Sequence, residues 1–585
     1  MLPKLYFCFM INMKANILLI SLLFALFSVN SAFSQENTYP QDFRSPMNIS
    51  LIVAGNFGEV RSNHFHTGID FKTQGVEGKN IYAIGDGYVS RIGYSHYGYG
   101  RVLYITHPNG YTSVYAHLSK FNSAISKFVK EHQYAIQEET FTVYLDSNDL
   151  VVEKGQIIAL SGNSGSSFAP HLHFEIRETL SENPMNPLLF GYKIIDTKKP
   201  MINNLKVYPL DDYSMVNGKQ NSVIIPVKKT KAGGYYINES ITGYGNVGCA
   251  LHSTDRLNAR NVCGLYSLDL SVNGDHLYGH TMKRLDFSTS RYVNHHVDYQ
   301  RHKQYNNSFH KSFLQGNNYL DIYNQVNDGI TNIEDDSTYK FNYVAKDYSG
   351  NASTLNFKIK GDSAGYEKLT STETTCDNYF RYNESNYLQK QGFALMMTPN
   401  TIYEDLCVNY KSEVNGKYLS AIHTVGTRYA GIHQTYKIIL TPTQEIDSVY
   451  LEKLLIVSID DKGKIADRGG DYQLGTVTTR VKEFGSFAIM MDTTKPVLNL
   501  MSDTTKLTKN SKLVFKIGDN LSGIQSYNAT LDGDWILTEY DRKKARWTIS
   551  LSEVENLKAG THTLQVEVID EKGNSNFQSL EITIN

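Results

Sequence analysis

The 585-residue sequence predicts a mainly β protein built from several units, and three observations predict it. Tyrosine, a strand former, is abundant at 41 residues, whereas Pro, which interrupts strand ladders, numbers 13. Runs of β-branched and apolar residues alternate with polar ones along most of the chain, the period of a strand with one buried face. Turn signals such as Asp519-Asn520-Leu521-Ser522-Gly523 and Leu531-Asp532-Gly533-Asp534-Trp535 separate those runs, as in β-sandwiches.

The N-terminus comes first. Residues 1–34 read as a signal peptide, because the basic start at Lys14 leads into the apolar run Ile17 to Phe27 and small residues at Ala32 and Ser34 place cleavage before Gln35. Met13 is the more natural start, which makes the first twelve residues, Cys8 among them, an extension. No cysteine occupies the cleavage junction, which argues against a lipid anchor. No later stretch reaches the roughly 18 apolar residues of a membrane span. Export to the periplasm, the cell envelope or the medium follows. A net charge of −2 gives no electrostatic footprint for nucleic acid or anionic membrane. The remaining length suits three or four units at roughly 150 residues each.

Three short stretches carry chemistry: His66-Thr67-Gly68-Ile69-Asp70, Tyr115-Ala116-His117-Leu118 and His171-Leu172-His173-Phe174-Glu175. Imidazole nitrogens and a carboxylate oxygen suit zinc, and three protein ligands leave a fourth position open for catalysis. From His171 to Arg177 polar and apolar residues alternate, so His171 and His173 face one way along a strand. Tyr111 to Leu118 repeats the device and expects Tyr115 and His117 on one face, sharing a polar floor with His171 and His173. His66 and Asp70 would lie roughly 13 Å apart on extended chain, too far to reach one ion, so the backbone must bend between them, and Gly68 is the candidate hinge. His64 is either an alternative ligand or a polar neighbour of His66, and the Gly-Ile-Asp continuation favours His66 as the ligand.

Taken together, residues of about 50 to 190 resemble the lysostaphin-type, or LytM-type, zinc endopeptidases that cut peptide bonds in bacterial peptidoglycan. The stretches Ala83 to Gly87, Gly155 to Ala159 and Ser161 to Gly165 fit that resemblance as well. It implies a duplicated-hybrid-motif β-sheet domain over 35–195 with Zn2+ held by His66, Asp70 and His173. It also implies that His117 and His171 are catalytic, orienting or deprotonating water and stabilising the charged tetrahedral intermediate. Tyr115 either donates to the oxyanion or packs beside His117. The chain departs from the compact family pattern in an insertion over about 121–148, with helical spacing from Phe121 to Val129 and a β-favouring run from Thr140 to Leu145. That insertion is placed to wall or cap the cleft.

Behind this unit the sequence echoes itself. Asp196-Thr197-Lys198-Lys199-Pro200 matches Asp492-Thr493-Thr494-Lys495-Pro496, and Asp347-Tyr348-Ser349-Gly350-Asn351 matches Asp570-Glu571-Lys572-Gly573-Asn574. The pattern resembles bacterial immunoglobulin-like (Ig-like) sandwiches at 196–362 and 492–585, separated by a β-rich unit of unknown role at 363–491. Four cysteines follow the signal peptide. Spacing permits Cys249 with Cys263 and Cys376 with Cys407, against free buried thiols as the alternative. His295 and His296 read as surface or packing residues.

The expected function is an exported, zinc-dependent endopeptidase acting on peptidoglycan stem peptides or cross-bridges, with an envelope protein as a further partner of the C-terminal β-units. One alternative is a non-catalytic LytM-type adaptor that activates another wall hydrolase. Another is an adhesion or secretion scaffold with an auxiliary peptidase. Intact positions at all five site residues favour the enzyme.

Overall fold

A computed structural model describes residues 39–585 apart from 259 and 365–375, so the signal-peptide reading and the start at Met13 lie outside the described residues. The protein is mainly β, with 46% strand against 8% helix. Its first sheet runs in the order Val53–Gly55, Ile69–Lys72, His171–Glu178, Tyr111–Phe121, Arg101–Thr106, Gly87–Tyr94 and Val151–Val152, and these neighbours are antiparallel. Cross-strand partners share a face. His173 pairs with Asp70, while Phe174 pairs with Ile69 on one side and Tyr115 on the other. Leu172, Phe174 and Ile176 therefore enter the core with Phe71 and Tyr115, and His173, Glu175 and Arg177 form the opposite face. That polar face is buried too, which a half-buried strand would not require.

The insertion forms a helix, Ser123–Ile136, followed by the strand Phe141–Tyr144 on the edge of Gly87–Tyr94. Asn122 caps the helix by accepting from the Ile125 N–H. Besides local contacts such as Lys127 with Glu131 and the His132 ring with Phe141, the helix reaches the far end of the chain. Lys130 pairs with Glu553 at 3.3 Å, Tyr134 donates to the Glu553 carbonyl, and the Tyr134 ring stands edge-on to Trp535.

Behind the first sheet, residues 201–361 build a thirteen-stranded system around Leu205, Leu251, Leu268, Tyr278 and Tyr343. Residues 386–491 form two five-stranded sheets closed on Leu395, Ile438, Ile456 and Phe487, and residues 497–584 form two four-stranded sheets around Trp547. The sequence echo corresponds to one clasp built twice. Asn351 Nδ2 donates to the Asp196 carbonyl and to Asp347, and Asn574 Nδ2 donates to the Asp492 carbonyl and to Asp570. Each clasp ties the entry of a unit to its final hairpin.

Cys376 and Cys407 form a disulfide, whereas Cys249 and Cys263 are buried free thiols. The pairing of Cys249 with Cys263 fails because the two thiols occupy different interiors, Cys249 in the core of 201–361 and Cys263 in that of the first sheet. The first interior also takes Met282, Leu285, Tyr292, Val293, Leu320 and Ile322 from the long excursion that follows strand Asp275–Thr281. Asn186 fastens that excursion by donating to the Met282 carbonyl, and Ser290 accepts from the Phe65 N–H.

Glu139, between the helix and the strand of the insertion, makes the contact with the last sheets pH-sensitive. Burial pushes its carboxyl up to about 7, although hydrogen bonds from the Tyr527 hydroxyl and Tyr540 N–H pull the other way. A carboxyl raised from 4.5 contributes stability that is complete below about 4.5 and is lost as the pH rises through about 7. The contact should therefore hold better at pH 5 than at pH 8, with a limiting slope of roughly 1.4 kcal/mol per pH unit in that window. Thermal melting and limited proteolysis across this range measure it. Glu139→Gln should flatten the profile, and an unchanged slope in that variant would refute the assignment.

Candidate metal centre

His66, Asp70 and His173 come together in one buried pocket, each less than 9% exposed. Asp70 lies on strand Ile69–Lys72 directly opposite His173, and His66 precedes that strand. Gly68 does allow the turn, but its φ is not left-handed. A Cβ there would meet the Phe174 carbonyl at 2.4 Å and Glu175 Cγ at 2.8 Å, so glycine is needed for the close approach to the His173 strand.

His66 Nε2, Asp70 Oδ1 and His173 Nδ1 stand 3.0, 3.0 and 2.9 Å from one another. Ligand atoms on a tetrahedral zinc ion with bonds of about 2.0–2.1 Å lie roughly 3.3 Å apart, so the three fit such an ion after a small expansion. The outer ring atoms are also engaged. His66 Nδ1 lies 2.8 Å from the Asn56 carbonyl, and His173 Nε2 lies 2.8 Å from Glu175 Oε1, which turns Nε2 of the first and Nδ1 of the second toward Asp70. Asp70 Oδ2 is occupied by Arg61 at 3.0 Å. The donor chemistry and this bracing suit a transition metal.

Electrostatics agree with a cation site. Burial opposes ionisation of Asp70, but His66, His171 and His173 outweigh it and hold its carboxyl well below the usual range. Burial likewise opposes charge on His173, but Asp70 and Glu175 raise it to about 9. A metal ion held here would take the place of that proton.

The two other predicted histidines border the same pocket. His171 Nε2 is 3.4 Å from Asp70 Oδ1, and its Nδ1 is 2.8 Å from the Ala169 carbonyl. The His117 ring lies 4.7 Å from that of His171 and 5.9 Å from that of His173. Burial, reinforced by His173 and His171, lowers His117 to about 3. Its Nδ1 faces the Ser164 carbonyl at 2.9 Å, so Nε2 is the free nitrogen.

Strict alternation does not explain how His117 arrives there. Tyr115 pairs with Phe174 and lies in the core, its hydroxyl held by Ser113 and by the Ile84 N–H, so it shares no floor with His171 and His173. His117 has a left-handed φ of 59°, and the ladder to Arg101–Thr106 slips between Arg101 and Leu103. The resulting bulge turns His117 away from the face of Tyr115 and toward the pocket. His64 is exposed, bonded to the Ser62 carbonyl, and is not part of the three-ligand group.

Glu175, Arg177, Tyr99 and Arg61 are site residues to which the motifs assigned no role. Glu175 is fully buried and accepts from Thr67, Tyr99 and Arg177 besides bracing His173. Its place on the polar face was visible in the alternation of residues 171–177, but its partners lie on other strands.

A β-sheet domain carrying a buried His-Asp-His nest with two further histidines defines a metallopeptidase-like class. Residues 64–140 match the model of peptidase family M23, and this part of the chain is an M23 domain of the LytM type. A metalloprotease of Haemophilus influenzae is 35% identical over 123 residues, which are 21% of this chain and 20% of that protein. The DD-carboxypeptidase/endopeptidase Mpg of Neisseria meningitidis is 32% identical over 123 residues, 21% of this chain and 22% of its own. The catalytic domain of lysostaphin from Staphylococcus simulans aligns at 27% identity over 24% of this chain and 91% of its own, with a TM-score of 0.19. The chain thus spans about a fifth of the length of the curated relatives it matches. Residues 377–492 match a Zu5-like domain, which gives the β-rich unit between the two echoing ones a family likeness.

Proposed function

We propose that the protein is an exported zinc endopeptidase that hydrolyses peptide cross-links of bacterial peptidoglycan. The observation that carries this reading is the convergence of His66, Asp70, His117, His171 and His173 from three separated motifs on one pocket with braced outer ring nitrogens. The Neisseria relative, named a DD-carboxypeptidase/endopeptidase, supports the substrate class. His66 Nε2, Asp70 Oδ1 and His173 Nδ1 are the ligand atoms. The chemistry zinc supplies when bound is Lewis-acid polarisation of a carbonyl and acidification of water.

The protein's own groups do the rest. His117 stays neutral at physiological pH, and with Nδ1 turned to the Ser164 carbonyl it offers the Nε2 lone pair as a proton acceptor at the pocket. His171, oriented by the Ala169 carbonyl, presents Nε2 beside Asp70 and completes the pair that accepts and returns a proton. Glu175, fully buried behind His173, closes the inner side of the pocket. Residues 35–195 are the catalytic unit in this reading, 196–362 and 492–585 are Ig-like units, and 363–491 is a β-rich unit between them with no role assigned.

The test is digestion of purified peptidoglycan by the mature chain, residues 35–585, loaded with zinc, followed by mass spectrometry of the products. Cross-linked muropeptides should shorten with a new amino terminus inside the cross-link, which also separates D-Ala–diaminopimelate cleavage from cleavage of a glycine bridge. Zinc-loaded protein that leaves cross-links unchanged would overturn the proposal.

A further inference from the structure

We propose that His280, His296 and His310 form a second transition-metal site, separate from the first and structural in role, with zinc as the fitting ion. They come from three elements: the strand Asp275–Thr281, the short helix Val293–His296 and the strand Phe309–Lys311. All three are buried, His280 and His296 at 1% and His310 at 5% exposure. The sequence reads His296 as a surface or packing residue; it is buried and packed, and no spacing rule links positions 280, 296 and 310.

The geometry converges. One nitrogen from each ring lies within 4.8 Å of the other two, and His296 Nε2 is 3.0 Å from His310 Nδ1. Donors on a tetrahedral zinc ion sit roughly 3.3 Å apart, so closure asks for ring shifts on the order of an ångström. His280 Nε2 is buried and has no hydrogen-bond partner. An orphaned buried nitrogen is costly. A bond between His296 and His310 alone leaves it orphaned, and an ion shared by all three satisfies it.

Two of the outer nitrogens are braced as those of ligand histidines usually are. His280 Nδ1 lies 3.2 Å from the Tyr278 hydroxyl, and His296 Nδ1 lies 3.1 Å from that of Tyr323, which Asn318 also holds. This arrangement turns Nε2 of both rings toward the cluster. Burial lowers His310 to about 4 and pushes the other two well below the ordinary range, so all three are in the neutral form that binds metal. Three imidazole donors select a first-row transition metal over magnesium or calcium.

The position gives the site its purpose. The Phe65 ring packs on His296 at 5.6 Å, and the Phe65 N–H donates to Ser290, one residue before His66. An ion here clamps the excursion from the second sheet against the strand entry that carries the first motif. The two sites share no ligand.

The decisive protein is the full mature chain carrying His66→Ala and His173→Ala, produced with zinc and passed through gel filtration. It should retain about one zinc ion per chain by elemental analysis, against about two in the parent. Refolding it with cobalt(II) should give visible absorption from a nitrogen-liganded site, and adding His280→Phe should abolish both signals. Should the His280→Phe chain fail to fold, the double variant still decides through its zinc content and its melting temperature with and without zinc. Fewer than about 0.1 ions per chain, no cobalt absorption and no shift in melting would overturn the proposal.

Discussion

His173→Ala is expected to release the metal from the first pocket and abolish peptide hydrolysis, with a loss larger than the roughly 10- to 100-fold that removing an outer-shell partner costs. His173 is the hub of the site. It touches His66 and Asp70 through one nitrogen and Glu175 through the other, so alanine removes a proposed ligand and at the same time leaves two buried carboxylates short of a partner. His64→Ala is the control, since His64 is exposed and bonded only to the neighbouring Ser62 carbonyl; that variant should bind and cut as the parent does. Zinc affinity by chelator competition and muropeptide release measure the pair. A His173→Ala chain with parental activity would sink the ligand assignment.

Glu175→Ala should be the most damaging change for stability around the site. Glu175 has no exposed side-chain area and faces Arg177, which is only 5% exposed, at 2.6 Å. Removing one partner of a buried pair leaves the other charge uncompensated, a cost of about 3–5 kcal/mol. Tyr99, the Phe287 ring and a longer contact to Glu182 soften that loss for Arg177, which favours the lower end. Glu175→Gln keeps the shape and one acceptor. It should fold better than the alanine variant while binding zinc about 10- to 100-fold more weakly, because His173 loses the carboxylate that orients its ring. Chemical denaturation and metal titration separate the two effects. Equal stability of parent and Glu175→Ala would show that Arg177 is compensated elsewhere.

Part of this was legible in the chain. Alternation along His171–Arg177 put His171, His173, Glu175 and Arg177 on one face because a strand has a fixed period of two, and the structure keeps that order. The same rule misplaced Tyr115, since a left-handed residue at His117 resets the period and nothing in the local sequence marks it. Gly68 was correctly singled out for the wrong physical reason, because the crowding that requires it comes from a strand a hundred residues away. Partners fixed by tertiary packing, such as Arg177 for Glu175 or the three histidines of the second cluster, carry no spacing signal. The cysteines illustrate the same limit: nearness in sequence suited Cys376 with Cys407 but misled for Cys249 and Cys263, which lie in separate interiors.

The excursion that carries Met282, Leu285, Val293 and Ile322 into the first interior bears on the order of events during synthesis. A chain leaves the ribosome from its N-terminus, and units whose contacts are local can finish folding as they emerge. Here the sheet holding His66, Asp70 and His173 is fully translated by residue 178, yet its apolar filling draws on residues as distant as Ile322 and Tyr403. Such long-range closure slows folding. The domain that carries the first pocket therefore completes its interior late, after the next unit has been made, and a chain interrupted between these points would expose an unfinished interior.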